Sequence, residues 1–492
     1  MKDNNTLLKN SKLLNLFWCL LIFSVICFLS FNFYPIVDDL VFAGELNHRN
    51  WSLPQIATVC GVNGRYLGNT LGVFFSWLST TRFWFFRAIF NVVGISFLFY
   101  YIVKFTDKDN KIALFLIPVC MLVPNIYHFH QYYGFSADFM NYLLPLLILF
   151  INFDLIKKFL SGKDKVKFLV PFTVFLNCFF IEHITVYIVC CCVCFLLYSV
   201  VKKQNIKFSL CICITAILAL ICMFSHSFIY KSDSGYRDSV LSKGFSWIIV
   251  NITDNISYVI FDHLFLTGFI SLVLFLCLVM YTKKDKLKMI AAIIITAILF
   301  TSCICSFCLY YGNWEGTALS IFCNRYFVTI QTFLFLISMG VVLKFFVPKD
   351  KTTFDIYFIY ISIWLICAML SVVTPIGPRC FMIVYAFLSV IIVKVYSIVS
   401  ESIRIPLKRI IAIGCTCFFC LYMFNVCSAY KEGNKVMKER FAYIESEMEK
   451  KANTIEIPDS VNFTDSGGLN FLNYYFYYSN PGDIEFVFVQ NK

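Results

Sequence analysis

The feature that most constrains this chain is a series of apolar runs of about twenty residues, separated by short lysine-rich clusters. A run of that length is long enough to cross the roughly 30 Å hydrocarbon core of a bilayer as a helix. Apolar residues make up 60% of the chain and charged residues 14%, about half the usual share. So few charges exclude a water-soluble protein of this size. The sequence predicts an all-α polytopic membrane protein.

The runs predict about thirteen transmembrane helices, the third and fifth of them short. They lie at residues 13–33, 83–103, 112–127, 139–156, 168–181, 184–201, 208–228, 263–281, 289–310, 326–343, 354–373, 381–398 and 409–427. Lysines cluster in alternate loops, as at residues 157–167 and 283–288, and cytoplasmic loops carry such an excess. The N-terminus is therefore predicted to be cytoplasmic, and the odd number of crossings places the C-terminal tail outside.

Two regions follow from this topology. Residues 1–427 form the multi-pass membrane domain, and residues 428–492 form a small external α/β tail that begins with a charged helical stretch and a short strand, "TIEIP". The net charge of +12 is mostly the topology signal of the cytoplasmic loops, so the sequence predicts the lipid bilayer, and no nucleic acid, as a partner.

An acidic pair opens the long first external loop, residues 34–82, in the segment "FYPIVDDLVFAGE". Adjacent carboxylates repel each other and are costly near hydrocarbon, so Asp38 and Asp39 need a reason to be there. One interpretation is that they cap a short helix beginning near Leu40. The other is a general base at the membrane surface, with or without a divalent metal ion. Neighbouring residues point in different directions, so one aspartate would act while the other orients it, and Asp38 is slightly favoured as the base.

Arginines are scattered over the predicted external loops, where charge topology gives no reason for them. Arginine binds phosphate through a planar fork and stays charged at any relevant pH. A set converging from separate loops would suit a lipid phosphate, whereas snorkelling to headgroups explains any single one. The four candidates are Arg65, Arg237, Arg325 and Arg379.

Three further polar positions are candidates for an additional site. Glu182 and His183 occupy the turn between two apolar spans, and Asn63 stands in "NGR" beside Arg65. An ionisable pair at such a turn is either functional or a satisfied interfacial pair. Metal-capable residues also occur in the segment "HFHQYYGFSAD", but interfacial His and Tyr are common.

These features together resemble the type C (GT-C) integral-membrane glycosyltransferases: an acidic pair just after the first helix, a long first external loop, many crossings and external arginines. The "DD…NGR" opening and the tail segment "SGGLNFLNYYFYY" look most like uncharacterised bacterial members related to O-antigen glucosyltransferases. The resemblance implies a multi-pass protein of the bacterial inner membrane, active in cell-envelope polysaccharide biosynthesis.

The resemblance also implies a mechanism. The donor would be a sugar on a polyprenyl phosphate, and the acceptor a cell-surface glycan or a lipid-linked sugar. Asp38 or Asp39 would activate the acceptor hydroxyl, and Arg65, with Arg237, Arg325 and Arg379 assigned on their predicted side of the membrane, would bind the departing lipid phosphate. No cofactor is implied with certainty, and a divalent metal ion at the aspartates is left open.

Two other functions remain open. A polysaccharide polymerase or ligase would use similar lipid-linked substrates and arginine-rich loops without requiring the acidic pair. A flippase or transporter would place ionisable residues within its spans. Here the deep spans are nearly free of charge, and Lys394 lies close enough to the inner face to snorkel.

Overall fold

The structure is a computed structural model that describes residues 2–35, 38–48, 64–106, 112–125, 128–225, 245–282, 285–311, 317–348, 353–373, 376–450, 454–459 and 485–490. The candidate residues Asn63 and Arg237 and the segment "SGGLNFLNYYFYY" lie outside this described part. Within it the fold is all-α apart from two short strands.

The helices of the described residues are numbered here in chain order. They are α1 Lys2–Asn32, α2 Asp38–His48, α3 Tyr66–Thr80, α4 Trp84–Thr106, α5 Ala113–Leu122, α6 Leu144–Leu160, α7 Leu169–Asn177, α8 Glu182–Lys202, α9 Ile206–Phe224, α10 Phe245–Asn255, α11 Tyr258–Phe261, α12 Leu264–Tyr281, α13 Lys286–Tyr311, α14 Arg325–Phe345, α15 Thr353–Leu370, α16 Met382–Ser402 and α17 Ile405–Glu449. Residues 136–143, here the entry segment, wind into α6 through one α-helical turn, Ser136–Asp138, and one π-helical turn, Phe139–Leu143.

Ten helices of the described part are long and apolar enough to cross a membrane, which supports a multi-pass membrane protein. They coincide with ten of the predicted spans. The predicted spans 112–127 and 168–181 correspond to shorter helices, α5 with 10 residues and α7 with 9, and the span 354–373 corresponds to α15, in which the shorter segment Asp355–Leu370 is apolar. At 1.5 Å per residue, α5 and α7 are only about 15 Å long, half the hydrocarbon core. The count of thirteen therefore stays a prediction.

The chain divides into two compact units. The first comprises Met1–Cys19, Phe99–Asn125 and Lys231–Tyr422. Its centre is α16, which packs against α5, α12 and α15 and is buried over most of its length. Lys394 on α16 is buried, and its Nζ lies 3.2 Å from Asp355 Oδ2 on α15. Lys394 is thus paired with a carboxylate, where the sequence predicted snorkelling.

The second unit comprises Leu20–Leu98, Ile126–Tyr230 and Met423–Lys492. Two helices, α2 and α3, occupy much of what the sequence predicted as the first external loop. The helix α3 packs against α2 and against the entry segment of α6. Glycines permit this approach, because a Cβ at Gly68 would collide with the Asn141 side chain and one at Gly72 would lie 3.3 Å from Ala137 Cα. The small residues of α3 thus allow this helix to lie close to the entry segment.

The last helix, α17, is 45 residues long. At 1.5 Å per residue it extends about 67 Å, more than the roughly 45 Å of a bilayer with its headgroups. The predicted division at residue 427 falls inside this helix, so the charged stretch of the tail continues the last apolar helix without a break. Beyond it, β1 Thr454–Asp459 pairs in parallel with β2 Glu485–Gln490, with Thr454 opposite Glu485.

Candidate functional site

Asp39 is held at the centre of a buried polar network in the second unit. Its side chain is fully buried, and its Oδ1 accepts hydrogen bonds from Ser76 Oγ at 2.8 Å, Ser136 N at 2.9 Å and Ala137 N at 3.2 Å. The two amides are the first backbone donors of the entry segment, and a helix N-terminus favours an anion. Asp39 therefore fixes the start of α2 to α3 and to the entry segment of α6.

Arg87, on the first turn of α4, supplies the positive charge of this network. The guanidinium is 2% exposed, and it donates from Nε to Ser136 Oγ at 3.2 Å, from Nη1 to the Phe33 carbonyl at 3.2 Å and from Nη2 to the Gly134 carbonyl. Burial raises the pKa of Asp39, while the Arg87 charge and the hydrogen bonds from Ser136, Ser76 and Ala137 act to lower it. The two side chains thus form one buried electrostatic unit.

Sequence reasoning missed Arg87 because it lies inside the apolar run 83–103. A signal was present: an ionisable residue within a membrane span is expensive and is normally paired or functional. Ser76 and Ser136, the two hydroxyl residues of the network, carried no such signal, since serine is common in helices and turns. The structure brings all three to Asp39, from positions 37 to 97 residues further along the chain.

Asp38 is the more accessible aspartate of the pair. It is partly exposed, whereas its neighbour is fully buried, and the two form the first turn of α2, which begins two residues before the predicted start at Leu40. The Asp39 carboxylate accepts from the amides of a different helical segment, which differs from simple capping of its own helix. The network fixes Asp39 and so positions Asp38 beside it.

A divalent metal ion does not fit Asp39. Hydrogen-bond donors occupy the oxygens of this carboxylate, and Arg87 provides its countercharge, so a second cation would compete with both. Among the described residues, no group of three or more His, Cys, Asp or Glu side chains is placed to hold a metal ion.

His130 stacks on Tyr430 at 5.5 Å, and burial together with the Arg87 charge lowers the pKa of His130 to about 3. Its ring is therefore neutral at physiological pH.

Arg65 is engaged by Glu182, the first residue of α8. Arg65 Nε lies 2.9 Å from Glu182 Oε1 and Nη2 lies 2.7 Å from Oε2, a bidentate pair whose side chains are 9% and 17% exposed. The guanidinium also lies 6.0 Å from the Tyr142 ring centroid, and the buried His183 ring lies 6.3 Å from the same ring. The two predicted candidates, Arg65 and Glu182, thus satisfy each other, and a phosphate at Arg65 would have to compete with the Glu182 carboxylate.

The Arg65 pair and the Asp39 network occupy different parts of α3. Arg65 precedes the helix and Ser76 lies eleven residues later, about 16 Å along the axis. In the first unit, Arg325 Nη1 lies 3.1 Å from Asp254 Oδ1 in an exposed pair, and Arg379 is partly exposed in the 3-10 turn Pro378–Phe381. Arg65 belongs to the second unit, so the described arginines are divided between the two units.

A half-open cavity of about 290 Å³ lies in the second unit beside this network. Arg87 reaches it from α4, and the end of α1, the turn between α3 and α4, and the α17 segment around Lys438 complete its wall. Lys438 Nζ lies 5.7 Å from the Trp84 ring centroid, and both residues line the cavity. The sequence had given no reason to place the charged stretch of α17 beside the first membrane helix.

Comparison of the chain with protein-family models, with curated proteins and with solved structures found no match. The type C glycosyltransferase resemblance therefore stays a prediction, and the function has to be argued from the site. What the site offers is a partly exposed carboxylate, a buried aspartate–arginine network that positions it, and a cationic cavity next to that network.

Proposed function

We propose that this protein is a membrane glycosyltransferase that moves a sugar from a polyprenyl-phosphate donor to a glycan or lipid-linked acceptor at the external face of a bacterial inner membrane. One observation carries the proposal: Asp39 is locked into a buried network, and the adjacent Asp38 is thereby held, partly exposed, six residues beyond the end of α1. In such a pair the buried Asp39 holds the backbone in place, and the partly exposed Asp38 carries out the chemistry. A purely capping role for the pair would not need the contacts of Asp39 with α3, α4 and the entry segment.

Asp38 is assigned as the general base. Its carboxylate takes the proton of the acceptor hydroxyl as that oxygen bonds to the anomeric carbon of the donor sugar. The bond between the anomeric carbon and the phosphate oxygen breaks at the same time, and its electron pair leaves on the lipid phosphate. The products are the glycosylated acceptor, the lipid phosphate and a protonated Asp38, which returns its proton to water.

Charge balance supports the use of a buried arginine near the leaving group. A departing lipid phosphate gains negative charge, and preorganised cations stabilise such charge best where water is excluded. Arg87 is a cation in a fixed position next to the aspartate pair, whereas Arg65 is held by Glu182. Arg87 is therefore the stronger candidate for a phosphate contact, and Arg65, Arg325 and Arg379 remain secondary ones.

The orientation is part of the same proposal. The lysine-rich loops set the N-terminus and the loops 157–167 and 283–288 in the cytoplasm, which puts Asp38 and the end of α17 outside. Nucleotide sugars are absent there, so a lipid-linked donor is the available activated sugar. The general-base step as written needs no metal ion at Asp39, whose carboxylate already accepts three hydrogen bonds, and a divalent ion at Asp38 stays a prediction.

The test is a pair of isosteric variants in a transfer assay with labelled polyprenyl-phosphate sugar. Asp38→Asn keeps the side-chain shape but cannot accept a proton at neutral pH, so transfer should fall by about 10²–10⁴-fold. The helix content and membrane insertion of this variant should be those of the wild type, because Asp38 is partly exposed. Transfer at the wild-type rate by a correctly inserted Asp38→Asn protein would contradict the assignment.

Asp39→Asn separates the two roles. This variant should lose activity together with stability, because Asp39 ties three segments of the second unit. A variant that keeps full stability yet loses transfer would instead make Asp39 the base. We expect Asp39→Asn to lose transfer activity because the protein is less stable, and Asp38→Asn to lose it because the base is missing.

A further inference from the structure

The wall of the cavity beside Arg87 carries hydrogen-bond donors of that residue. Arg87 is nearly fully buried, yet it lines the cavity. A guanidinium has five N–H donors, and three of them reach Ser136 Oγ, the Phe33 carbonyl and the Gly134 carbonyl. The remaining two, one on each terminal nitrogen, have no acceptor among the described residues. Two donors at that spacing match two oxygens of a phosphate.

A second cation faces the same space from α17. Lys438 is exposed, and its ammonium lies 5.7 Å from the Trp84 ring centroid. Trp84 is also the first residue of the 23-residue helix α4, whose N-terminus favours a negative charge. Glu445, the acidic residue of the wall, is seven residues beyond Lys438, about 10 Å further along α17. The anion-binding groups are therefore collected at one end.

The wall also presents hydrogen-bond acceptors. The hydroxyls of Ser79, Thr80 and Thr81 donate to the carbonyls of Ser76, Trp77 and Leu78 at 2.6, 3.0 and 3.1 Å. The lone pairs of Ser79 and Thr80 remain for a ligand, Thr81 Oγ1 has one left because it also accepts from Phe83 N at 3.2 Å, and the Glu445 carboxylate is a further acceptor. Acceptors repel a phosphate but bind the hydroxyl groups of a sugar. The cationic donors and the acceptors of the wall thus suit the phosphate and the sugar of a sugar phosphate.

The rim of the cavity is aromatic. Phe31 at the end of α1 and Trp84 at the start of α4 are each 39% exposed, and their rings meet edge to face at 5.9 Å. Both helices are long and apolar enough to cross a membrane, and aromatic residues at such helix ends lie at the headgroup level. At about 290 Å³ the cavity is at the lower limit of ligand pockets. It has room for a headgroup, and a lipid chain would leave past the rim.

We infer that this cavity binds the sugar-phosphate headgroup of a lipid, with the phosphate at Arg87 and Lys438, the sugar hydroxyls at the Ser79–Thr81 hydroxyl oxygens and Glu445, and the chain leaving past Phe31 and Trp84. The identity of this lipid as the donor rests on the proposed function. Pro35 lines the cavity and Asp38 follows it by three residues. At no more than about 3.6 Å per residue, their Cα atoms lie within about 11 Å. The proposed base is thus close to the proposed headgroup.

Equilibrium binding of labelled undecaprenyl phosphate to the purified full-length chain in detergent micelles tests the phosphate end. Lys438→Ala should weaken binding about fivefold, the effect of one exposed charge contact of about 1 kcal/mol. Lys435→Ala is the matched control, since Lys435 lies one turn away on α17, is exposed and does not line the cavity. Arg87→Lys keeps the charge without the fork and should weaken binding by about tenfold or more. Equal affinities of the Lys438→Ala, Lys435→Ala and wild-type proteins would overturn the site, whether or not Arg87→Lys folds.

Competitors and a third variant test the rest of the ligand. Undecaprenol and inorganic phosphate should each compete poorly with the labelled lipid, because each lacks one half of the ligand. Efficient competition by inorganic phosphate would show that the site binds free phosphate. Efficient competition by undecaprenol would show that the phosphate contributes nothing to binding. Thr80→Val should weaken binding of the hexosyl-phosphate lipid while leaving that of the bare lipid phosphate unchanged. Equal effects on both lipids would contradict the sugar end. The binding assay needs no turnover, so the two proposals can fail separately. Binding without transfer would refute the glycosyltransferase proposal and leave this site standing. Transfer without Lys438-dependent binding would refute the site and leave the glycosyltransferase proposal standing.

Discussion

Replacing Asp39 with asparagine should destabilise the protein by about 3 kcal/mol. The carboxylate accepts hydrogen bonds from Ser76 Oγ and from the backbone amides of Ser136 and Ala137. Asparagine keeps the shape but turns one oxygen into a donor, which cannot accept from an amide. A hydrogen bond to a charged group is worth about 1.5–3 kcal/mol, and breaking a buried ion pair costs about 3–5 kcal/mol. Because the asparagine carbonyl oxygen can still accept some of these hydrogen bonds, the loss is expected at the low end of that range.

The matched control is the same substitution in an exposed pair. Asp254 lies 3.1 Å from Arg325, but their side chains are 45% and 55% exposed. Surface pairs are worth about 0–1 kcal/mol, so Asp254→Asn should change the free energy of unfolding by no more than that. Denaturant unfolding in detergent micelles, followed by tryptophan fluorescence, measures both variants. Equal losses at Asp39 and Asp254 would refute the assignment of Asp39 as a buried anchor.

Removing the other partner should cost less. In Arg87→Met, the Asp39 carboxylate can bind a proton and become neutral. In Asp39→Asn, the Arg87 guanidinium cannot release its proton and stays charged. The Asp39→Asn/Arg87→Met double variant should therefore lose less stability than the sum of the single variants, by about 0.5–3 kcal/mol. Strict additivity in the same unfolding measurement would mean that the two side chains do not form a unit.

Further predictions concern the other charged groups. Arg65→Lys keeps a charge opposite Glu182 but loses the bidentate fork, so the free energy of unfolding should fall by about 1–2 kcal/mol, and Glu182→Gln should add little in that background; full additivity would contradict the pair. Because burial raises the pKa of Asp39, the native state binds its proton more tightly than the unfolded chain, so stability should fall as the pH rises from the usual Asp range through the raised pKa. Asp39→Asn should remove this slope, and a wild-type protein without it would contradict the burial argument. Lys394→Met should change the free energy of unfolding by less than about 1 kcal/mol, because the Asp355 side chain is 49% exposed and stays hydrated without its partner; a large loss would show that Asp355 depends on Lys394.

The sequence predicts the helices best where an apolar run has the length of a bilayer. Ten long helices lie at predicted positions because burial in lipid requires both a minimum length and continuous apolar character. At the predicted spans 112–127 and 168–181 the helices α5 and α7 are only 10 and 9 residues long; α5 is mostly buried, whereas α7 exposes Leu169, Phe172 and Phe175. The same rule does not predict α3, which at 15 residues is too short to be identified as a span, whereas the short helix predicted near Leu40 is present as α2.

The candidate site was predicted only in part, since its partners are distant in sequence. The Asp38–Asp39 pair stands out locally, because two adjacent carboxylates near a membrane need a reason. The reason itself, a contact with Ser76, Ser136 and Arg87, depends on tertiary packing that no local pattern encodes. Likewise, Arg65 and Glu182 were both singled out, but their pairing across 117 residues of chain was not.

The most direct test of the proposed function is a donor comparison with the purified wild-type protein reconstituted in liposomes. Labelled sugar is supplied either on polyprenyl phosphate or on a nucleotide, with membrane glycolipid extract as the acceptor source, and the label is followed in the acceptor and across the bilayer. The proposal predicts label transfer from the lipid donor alone, and at least a hundredfold loss in Asp38→Asn. Movement of the lipid-linked sugar across the bilayer without any transfer, or transfer that persists unchanged in Asp38→Asn, would contradict it.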